Sequence, residues 1–302
     1  MKLCYFRGHQ PNFGDELNPW LWPRILPPAF LDDEDDELFL GIGSILFDTY
    51  PTAVRKHVLG AGYAGYTAPP PVHDGTWNVV FVRGPRTAAR LQLPAEKAIC
   101  DSAILLRAVE LPAPADSSGV AFMPHYESLA RGSWAEACRL AGIKLIDPRD
   151  DVESVIAEIR SARMLITEAM HGAIVADALR TPWLPVLPIN TTHRQKWSDW
   201  ADALSIDLRS QILRPSSLME LYVGFSGGRG KVEGRAGRVS RHALAKPANR
   251  MLSMIAAEHL RKLARLEPQL SRDDRIGEAT ERALAAVAAF AGTHQPLRRT
   301  VA

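Results

Sequence analysis

Short apolar runs alternate with amphipathic stretches along the first two hundred residues, and each run stops at a glycine, a proline or a charged turn. Lys2 to Phe6, the glycine-bounded runs Leu38 to Leu46 and Val58 to Tyr66, and Trp77 to Val82 predict strands. Between and after them, helices are expected at about Glu16 to Arg24 and at Thr87 to Leu93, and Ala98 to Leu105 reads as a strand end carrying Asp101 and Ser102 toward a cleft. Leu111 to Gly119, rich in Pro, Ala and Ser, reads as a linker. The pattern then restarts: strands at Val120 to Met123, Lys144 to Ile146, Met164 to Thr167 and Leu184 to Leu187, helices at Ser133 to Ala141 and Val152 to Ala162, and a loop at Pro124 to Glu127. This alternation predicts an α/β protein of two Rossmann-like parallel-sheet domains, over residues 1–112 and 118–224, facing a central cleft. A third part, 225–302, comprises a glycine- and arginine-rich stretch expected to be a mobile loop (Phe225 to Arg241) and two helices, Lys246 to Glu267 and about Glu278 to Ala291.

The stretch with the most chemistry is Met164 to Pro182, where an apolar strand breaks into a turn and then a helical pattern of Ile174, Val175, Ala178 and Leu179. His171 is thereby expected at a helix N-terminus, at the carboxyl edge of a parallel sheet, where unpaired N–H groups and the helix dipole favour anions. Such a place disfavours an imidazolium, so a protonated His171 needs a bound anion or a carboxylate such as Glu168 beside it. That makes His171 a candidate acid for an anionic substrate; a helix-capping role is the alternative. Arg83 and Arg86 flank Gly84-Pro85 at a strand-to-helix junction, where forked guanidinium groups suit a phosphate or carboxylate. His125, His171 and the group His193, Arg194 and Lys196 all fall at carboxyl ends of second-half strands. Near the start, Asn12 and Asp15 lie in a turn-rich loop, with Asp15 able to cap the following helix and Gly14 letting the backbone pass close to whatever the loop holds.

Gly60, Gly62 and Gly65 match the spacing of a dinucleotide fingerprint, but they run into Pro69-Pro70-Pro71 instead of a helix, so no NAD or FAD site is expected. The three cysteines, Cys4, Cys100 and Cys138, form neither a paired framework nor a ligand spacing, so neither disulfides nor a metal are expected and a reducing cytoplasm fits. With 46% hydrophobic and 23% charged residues the composition is that of a soluble globular protein, and no signal peptide or membrane span is read. The net charge of +2 hides an asymmetry. Residues 229–302 hold 15 Lys/Arg against 7 Asp/Glu, or +8, leaving 21 against 27, or −6, for residues 1–228. A basic tail on an acidic body suggests an anionic neighbour, although a helix packing back across the domains with a solvated basic face accounts for it equally.

A series of short motifs resembles the polysaccharide pyruvyl transferases, in particular the exopolysaccharide ketal-forming enzymes of the succinoglycan and xanthan type. The motifs are Asn12-Phe13-Gly14-Asp15, Gly41-Ile42-Gly43-Ser44, Gly60-Ala61-Gly62, Val82-Arg83-Gly84-Pro85-Arg86-Thr87, Asp101-Ser102, Pro124-His125-Tyr126-Glu127, Glu168-Ala169-Met170-His171-Gly172 and Arg194-Gln195-Lys196-Trp197. They fall in the family's order over residues 1–200. The resemblance implies a GT-B-like pair of Rossmann domains, phosphoenolpyruvate as donor substrate with no cofactor, and a sugar acceptor borne on a polyprenyl diphosphate, with peripheral contact at the inner membrane. It implies His171 as acid, His125 as second catalytic residue, and Asn12, Asp15, Arg83, Arg86, Asp101, Ser102, Glu168, Arg194 and Lys196 as substrate-binding. Many members carry an arginine two residues before the histidine; Ala169 stands there instead, so the anion clamp is expected from Arg83, Arg86, Arg194 and Lys196. The alternatives are a GT-B glycosyltransferase using a nucleotide-sugar and a non-catalytic polysaccharide-assembly partner.

Overall fold

The computed structural model describes residues 1–116, 119–227 and 232–294. Part of the linker (117–118), part of the arginine-rich stretch (228–231) and the last residues (295–302) lie outside the described residues.

Two all-parallel sheets carry the fold. The first, of order β1-β2-β3-β4, is formed by Lys2–Cys4, Glu37–Leu40, Arg55–Leu59 and Trp77–Phe81. The second, of order β6-β5-β7-β8-β9, is formed by β5 (Val120–Met123), β6 (Lys144–Leu145), β7 (Met164–Thr167), β8 (Trp183–Leu187) and β9 (Gln211–Ile212). Central strands such as β7 are buried along their whole length, as expected when helices cover both faces of a parallel sheet. The helices are α1 (Phe13–Ile25), α2 (Pro85–Arg90), α3 (Tyr126–Arg131), α4 (Trp134–Ala141), α5 (Val152–Ser161), α6 (Met170–Ala178), α7 (Gln195–Ala203), α8 (Leu218–Phe225), α9 (Arg235–Arg241), α10 (Lys246–Leu263) and α11 (Asp273–Thr293). Among the described residues, no helix is long and apolar enough to cross a membrane.

One hydrophobic core runs through both halves, joining Phe13, Leu17 and Leu21 of α1 to Val155, Ile156 and Ile159 of α5 and to Ala173 and Ile174 of α6. The Phe13 N–H also donates to the Pro148 carbonyl at 2.7 Å. α11 returns to the first sheet through Ile276, Ala279, Ala283, Val287 and Phe290, a helical stripe whose last ring lies 6.2 Å from Phe39 and 5.1 Å from His57. Buried Asn18 of α1 holds the loop after β2, accepting from the Ile42 N–H at 2.8 Å and donating to the Ile42 carbonyl at 3.0 Å. That pair of bonds satisfies a turn with no strand neighbour and fixes the loop that carries Ser44 and Ile45.

Several expectations need correcting. Asp101 and Ser102 do not end a strand; they open a 3₁₀ helix, Ser102–Ala108, whose first turn Asp101 caps by accepting from the Ala103 N–H at 3.0 Å. The loop expected at Pro124 to Glu127 turns into α3, with His125 Nδ1 as its cap acceptor. The described part of the expected mobile loop holds the last residue of α8 and all of α9. Those short helices are stabilised by packing on one another and on α10, which local composition does not reveal. Asp15 lies inside the first turn of α1 and accepts from the Asn12 side chain at 2.7 Å instead of capping the helix.

Candidate active site

The loops that leave the carboxyl ends of the two sheets meet around a cavity of about 310 Å³. The first half contributes Phe6, Asn12, Asp15, Ser44, Ile45, Phe47 and Tyr66, and the second contributes His125, Tyr126, Glu127, His171, His193 and Lys196. One wall is thus largely aromatic and apolar, and the other carries imidazoles and an ammonium.

His171 is the second residue of α6, a helix with no side-chain cap and no acidic residue in its first turn. Gly172 lets the helix start against the sheet: a Cβ there would stand 2.6 Å from Thr167 Oγ1 and 2.8 Å from Met123 Sδ. The imidazole lies against α1, where a Cβ on Gly14 would stand 2.0 Å from Nδ1. Its Nε2 points at Asp101 Oδ2, 3.7 Å away, and both atoms are buried without a hydrogen-bond partner. Asp101, fully buried, is therefore the carboxylate beside His171. Glu168 does not take that place. Its carboxylate accepts from the His125 N–H at 3.0 Å, the Ser128 hydroxyl at 2.9 Å and the Ile189 N–H at 2.8 Å, tying together the loops after β5, β7 and β8. Burial raises the Glu168 carboxyl above its ordinary range, against the pull of those donors.

Lys196, on the first turn of α7, faces the cavity. Desolvation and then the charge of Arg83 lower its ammonium to about 8, while Asp15, Glu127 and Asp101 oppose the shift. His125 lies in a near-parallel stack with His193, centroids 4.5 Å apart at 25°. Burial, then the charges of His193 and Lys196, push the His125 imidazolium well below its ordinary range, so the ring is neutral near pH 7. Because Nδ1 accepts from the Glu127 N–H at 3.4 Å, the neutral ring is assigned its proton on Nε2, as a donor. Burial raises the Glu127 carboxyl, but the hydrogen bond from His193 at 3.3 Å and the charge of Arg131 at 3.0 Å outweigh it and hold the carboxylate low. Desolvation raises the Tyr66 phenol to about 12, and its hydroxyl lies 3.1 Å from His193 Nδ1.

His125, Glu127 and His193 have donor atoms within 4.8 Å of one another, close enough to consider a cation. The lone pairs of two stacked imidazoles lie in nearly parallel planes and do not converge on one point, and Arg131 already occupies Glu127. The arrangement suits an anion better than a metal ion.

The structure separates the remaining candidates. Asn12 and Asp15 line the cavity. Arg83 does not: it is fully buried, donating from Nε to Asp199 at 3.0 Å, from Nη1 to Ser44 Oγ at 2.7 Å and from Nη2 to the Tyr63 carbonyl at 3.3 Å. Asp199 also accepts from the Thr87 N–H and hydroxyl, at 2.9 and 2.6 Å, so this cluster pins α7 to α2. Gly62 makes room for it, since a Cβ there would stand 2.1 Å from Arg83 Cζ. Gly60, at φ +91°, likewise lets Ser102 reach the Leu59 carbonyl at 2.5 Å. These glycines serve side chains of the protein. Arg86 is exposed and paired with Asp202 at 2.6 Å, and Arg194 donates to the Pro188 carbonyl at 3.0 Å. Of the four expected cations of the clamp, Lys196 alone lines the cavity. Phe6 and Tyr66 carried no mark in the sequence, and Ser44 and Tyr126 stood in motifs without a role, because single aromatic and hydroxyl residues have no periodicity to signal where they face.

Comparison with known proteins fits this geometry. The family model for polysaccharide pyruvyl transferase matches residues 74–188, which include Asp101, His125 and His171. The chain is 32% identical over 309 residues to the succinoglycan biosynthesis protein ExoV of Rhizobium meliloti (strain 1021), covering 93% of this chain and 96% of that relative. A match of that identity over both sheets and the cleft between them extends the likeness well past the motifs, and the chain belongs to the polysaccharide pyruvyl transferase family.

Proposed function

We propose that the chain moves a pyruvyl group from phosphoenolpyruvate onto two hydroxyls of one sugar in an exopolysaccharide repeat unit, as a cyclic ketal, with release of phosphate. The observation that carries this reading is the pairing of His171 with buried Asp101 beside the Lys196 ammonium, in a cavity between the two parallel sheets. In the same reading the two sheets form a GT-B-like pair of domains, and the acceptor is a polyprenyl-diphosphate-linked oligosaccharide entering along the aromatic wall.

Phosphoenolpyruvate carries a carboxylate and a phosphate, so it needs cations and N–H donors on one side. Lys196, the His125 Nε2–H and the uncapped start of α6 supply them. The enol phosphate is activated when a proton adds to its methylene carbon, which makes C2 electrophilic. His171 delivers that proton, with Asp101 holding the imidazolium in place. One sugar hydroxyl then adds to C2 and releases its proton. Phosphate leaves, taking up one proton, and the second hydroxyl closes the ring. The protons balance: His171 gives one to the methyl carbon, the two hydroxyls give up two, and of these one leaves on phosphate and the other restores the imidazolium of His171. Asp15, whose carboxyl burial raises against the pull of Asn12, His171 and Lys196, stands where it can accept a hydroxyl proton.

Melting of the purified protein with millimolar phosphoenolpyruvate, and separately with a panel of nucleotide-sugars, tests the donor. A ligand at 100 times its dissociation constant adds about 2.7 kcal/mol, a rise of several degrees. Stabilisation by phosphoenolpyruvate alone is expected. Stabilisation by a nucleotide-sugar alone would make the cleft a glycosyltransferase site.

A pH dependence follows from Lys196. Its charged form is the one that attracts the donor, and it loses its proton as pH rises through about 8. kcat/KM for the donor is therefore expected to fall on the alkaline side with an apparent pKa near 8, because this parameter reports the free enzyme. In Lys196→Met the step near pH 8 should disappear and the donor KM should rise at all pH values.

A further inference from the structure

The most exposed apolar side chains are concentrated far along the chain. Phe225 and Leu244 are each 86% exposed, Val239 59%, Met251 53%, and Tyr222, Met254 and Ile255 between 46 and 49%. They belong to α8, α9, the 3₁₀ turn Ala243–Ala245 and the start of α10, elements that pack on one another. Met251, Met254 and Ile255 share the outward face of α10, while Ser253, Ala256, Ala257 and Leu260 of the same helix are buried on the opposite side. Val239, Leu244 and Ala245 line one surface hollow with Arg238 and His242.

The charge around this patch is predominantly positive. Between residues 232 and 265 there are eight Lys/Arg, all exposed, against Glu233 and Glu258. Arg235, Arg238 and Arg241 on α9, and Lys246 and Arg250 on the first turns of α10, stand on the same elements as the apolar side chains, and Arg238 lines the hollow with Val239 and Leu244. Apolar side chains presented in a basic frame have two matching requirements, hydrocarbon and negative charge, and an anionic bilayer surface meets both. A second copy of the chain meets only the first, since a symmetric contact through this face would bring the two basic frames together. A nucleic acid meets only the second, because exposed aliphatic side chains contribute nothing to phosphate contacts.

We propose that the face formed by α8, α9, the turn at Ala243–Ala245 and the start of α10 docks the protein peripherally on a bilayer containing anionic lipids, with Phe225, Leu244 and Met251 entering the headgroup region. This inference does not depend on the reading of the cleft.

Flotation of the full chain with vesicles of phosphatidylcholine alone, and with phosphatidylcholine containing 30 mol% phosphatidylglycerol (a test composition of about one anionic lipid in three), reads it directly. Binding is expected only to the anionic vesicles and is expected to weaken with salt. Reversal of three charges, Arg235→Glu, Arg238→Glu and Arg241→Glu together, is expected to lower the vesicle partition coefficient by about 100-fold or more. Leu244→Asp is expected to lower it with the basic residues intact, and since Leu244 is exposed its melting temperature should match the parent. Equal partition of parent and Leu244→Asp, or no binding to anionic vesicles at low salt, would overturn the proposal. Sedimentation that shows a dimer dissociating in Leu244→Asp would overturn it as well, by giving the face to a second copy.

Discussion

Replacing His171 with alanine is expected to lower turnover by about 10²–10⁴-fold, the contribution typical of one positioned general acid, while the melting temperature stays close to that of the parent. The fold should tolerate the change because the ring packs against the edge of the cavity, and α6 is held by Met170, Ala173, Ile174 and Val175. Asp101→Asn separates positioning from chemistry. Asparagine keeps the acceptor that caps the 3₁₀ turn through the Ala103 N–H, but removes the charge 3.7 Å from His171 Nε2. Loss of that charge should lower kcat with little change in the donor KM, since the ring then lacks the carboxylate that orients it. A fully active His171→Ala protein, assayed by phosphate release from phosphoenolpyruvate with acceptor glycan, would remove His171 from the mechanism.

Arg83→Leu is expected to destabilise the protein by about 3–5 kcal/mol, because it leaves Asp199 charged and 2% exposed with only Thr87 to answer it. For a chain of this size that amounts to a fall in melting temperature of roughly 10 °C. The double change Arg83→Leu with Asp199→Leu should recover much of the loss, since a buried pair replaced by apolar side chains of similar volume is often close to neutral. The comparison also decides what Arg83 does. An arginine that gripped the donor would leave the free protein's melting unchanged and raise the donor KM, whereas the buried cluster with Ser44, Tyr63, Asp199 and Thr87 predicts the reverse order of effects.

The two arginines at the β4–α2 junction show how far local reading goes. Residue type and position marked Arg83 as a grip for anions, and nothing nearby in the sequence says that Asp199, more than a hundred residues away, has claimed it. The same holds for Glu168 and Asp101. Each is a single carboxylate beside a strand or turn, and which of them meets His171 depends on how the helix opened by Asp101 lies against α6. Lys196 and His125, by contrast, were placed by their position after strands of a parallel sheet, since loops at the carboxyl ends of such strands collect on one side.

What the sequence determines by itself is most of the succession of strands and helices, the parallel character of both sheets and the place of His171 at the start of α6. These follow from hydrophobic period and turn chemistry, which act over a few residues. Tertiary structure alone decided that Asp101 stands behind His171, that Arg83 is an internal tie and that α11 closes onto the first sheet. Those outcomes rest on burial: once a charged group leaves water it must take the partner that packing brings within reach, and packing joins residues that the chain keeps far apart.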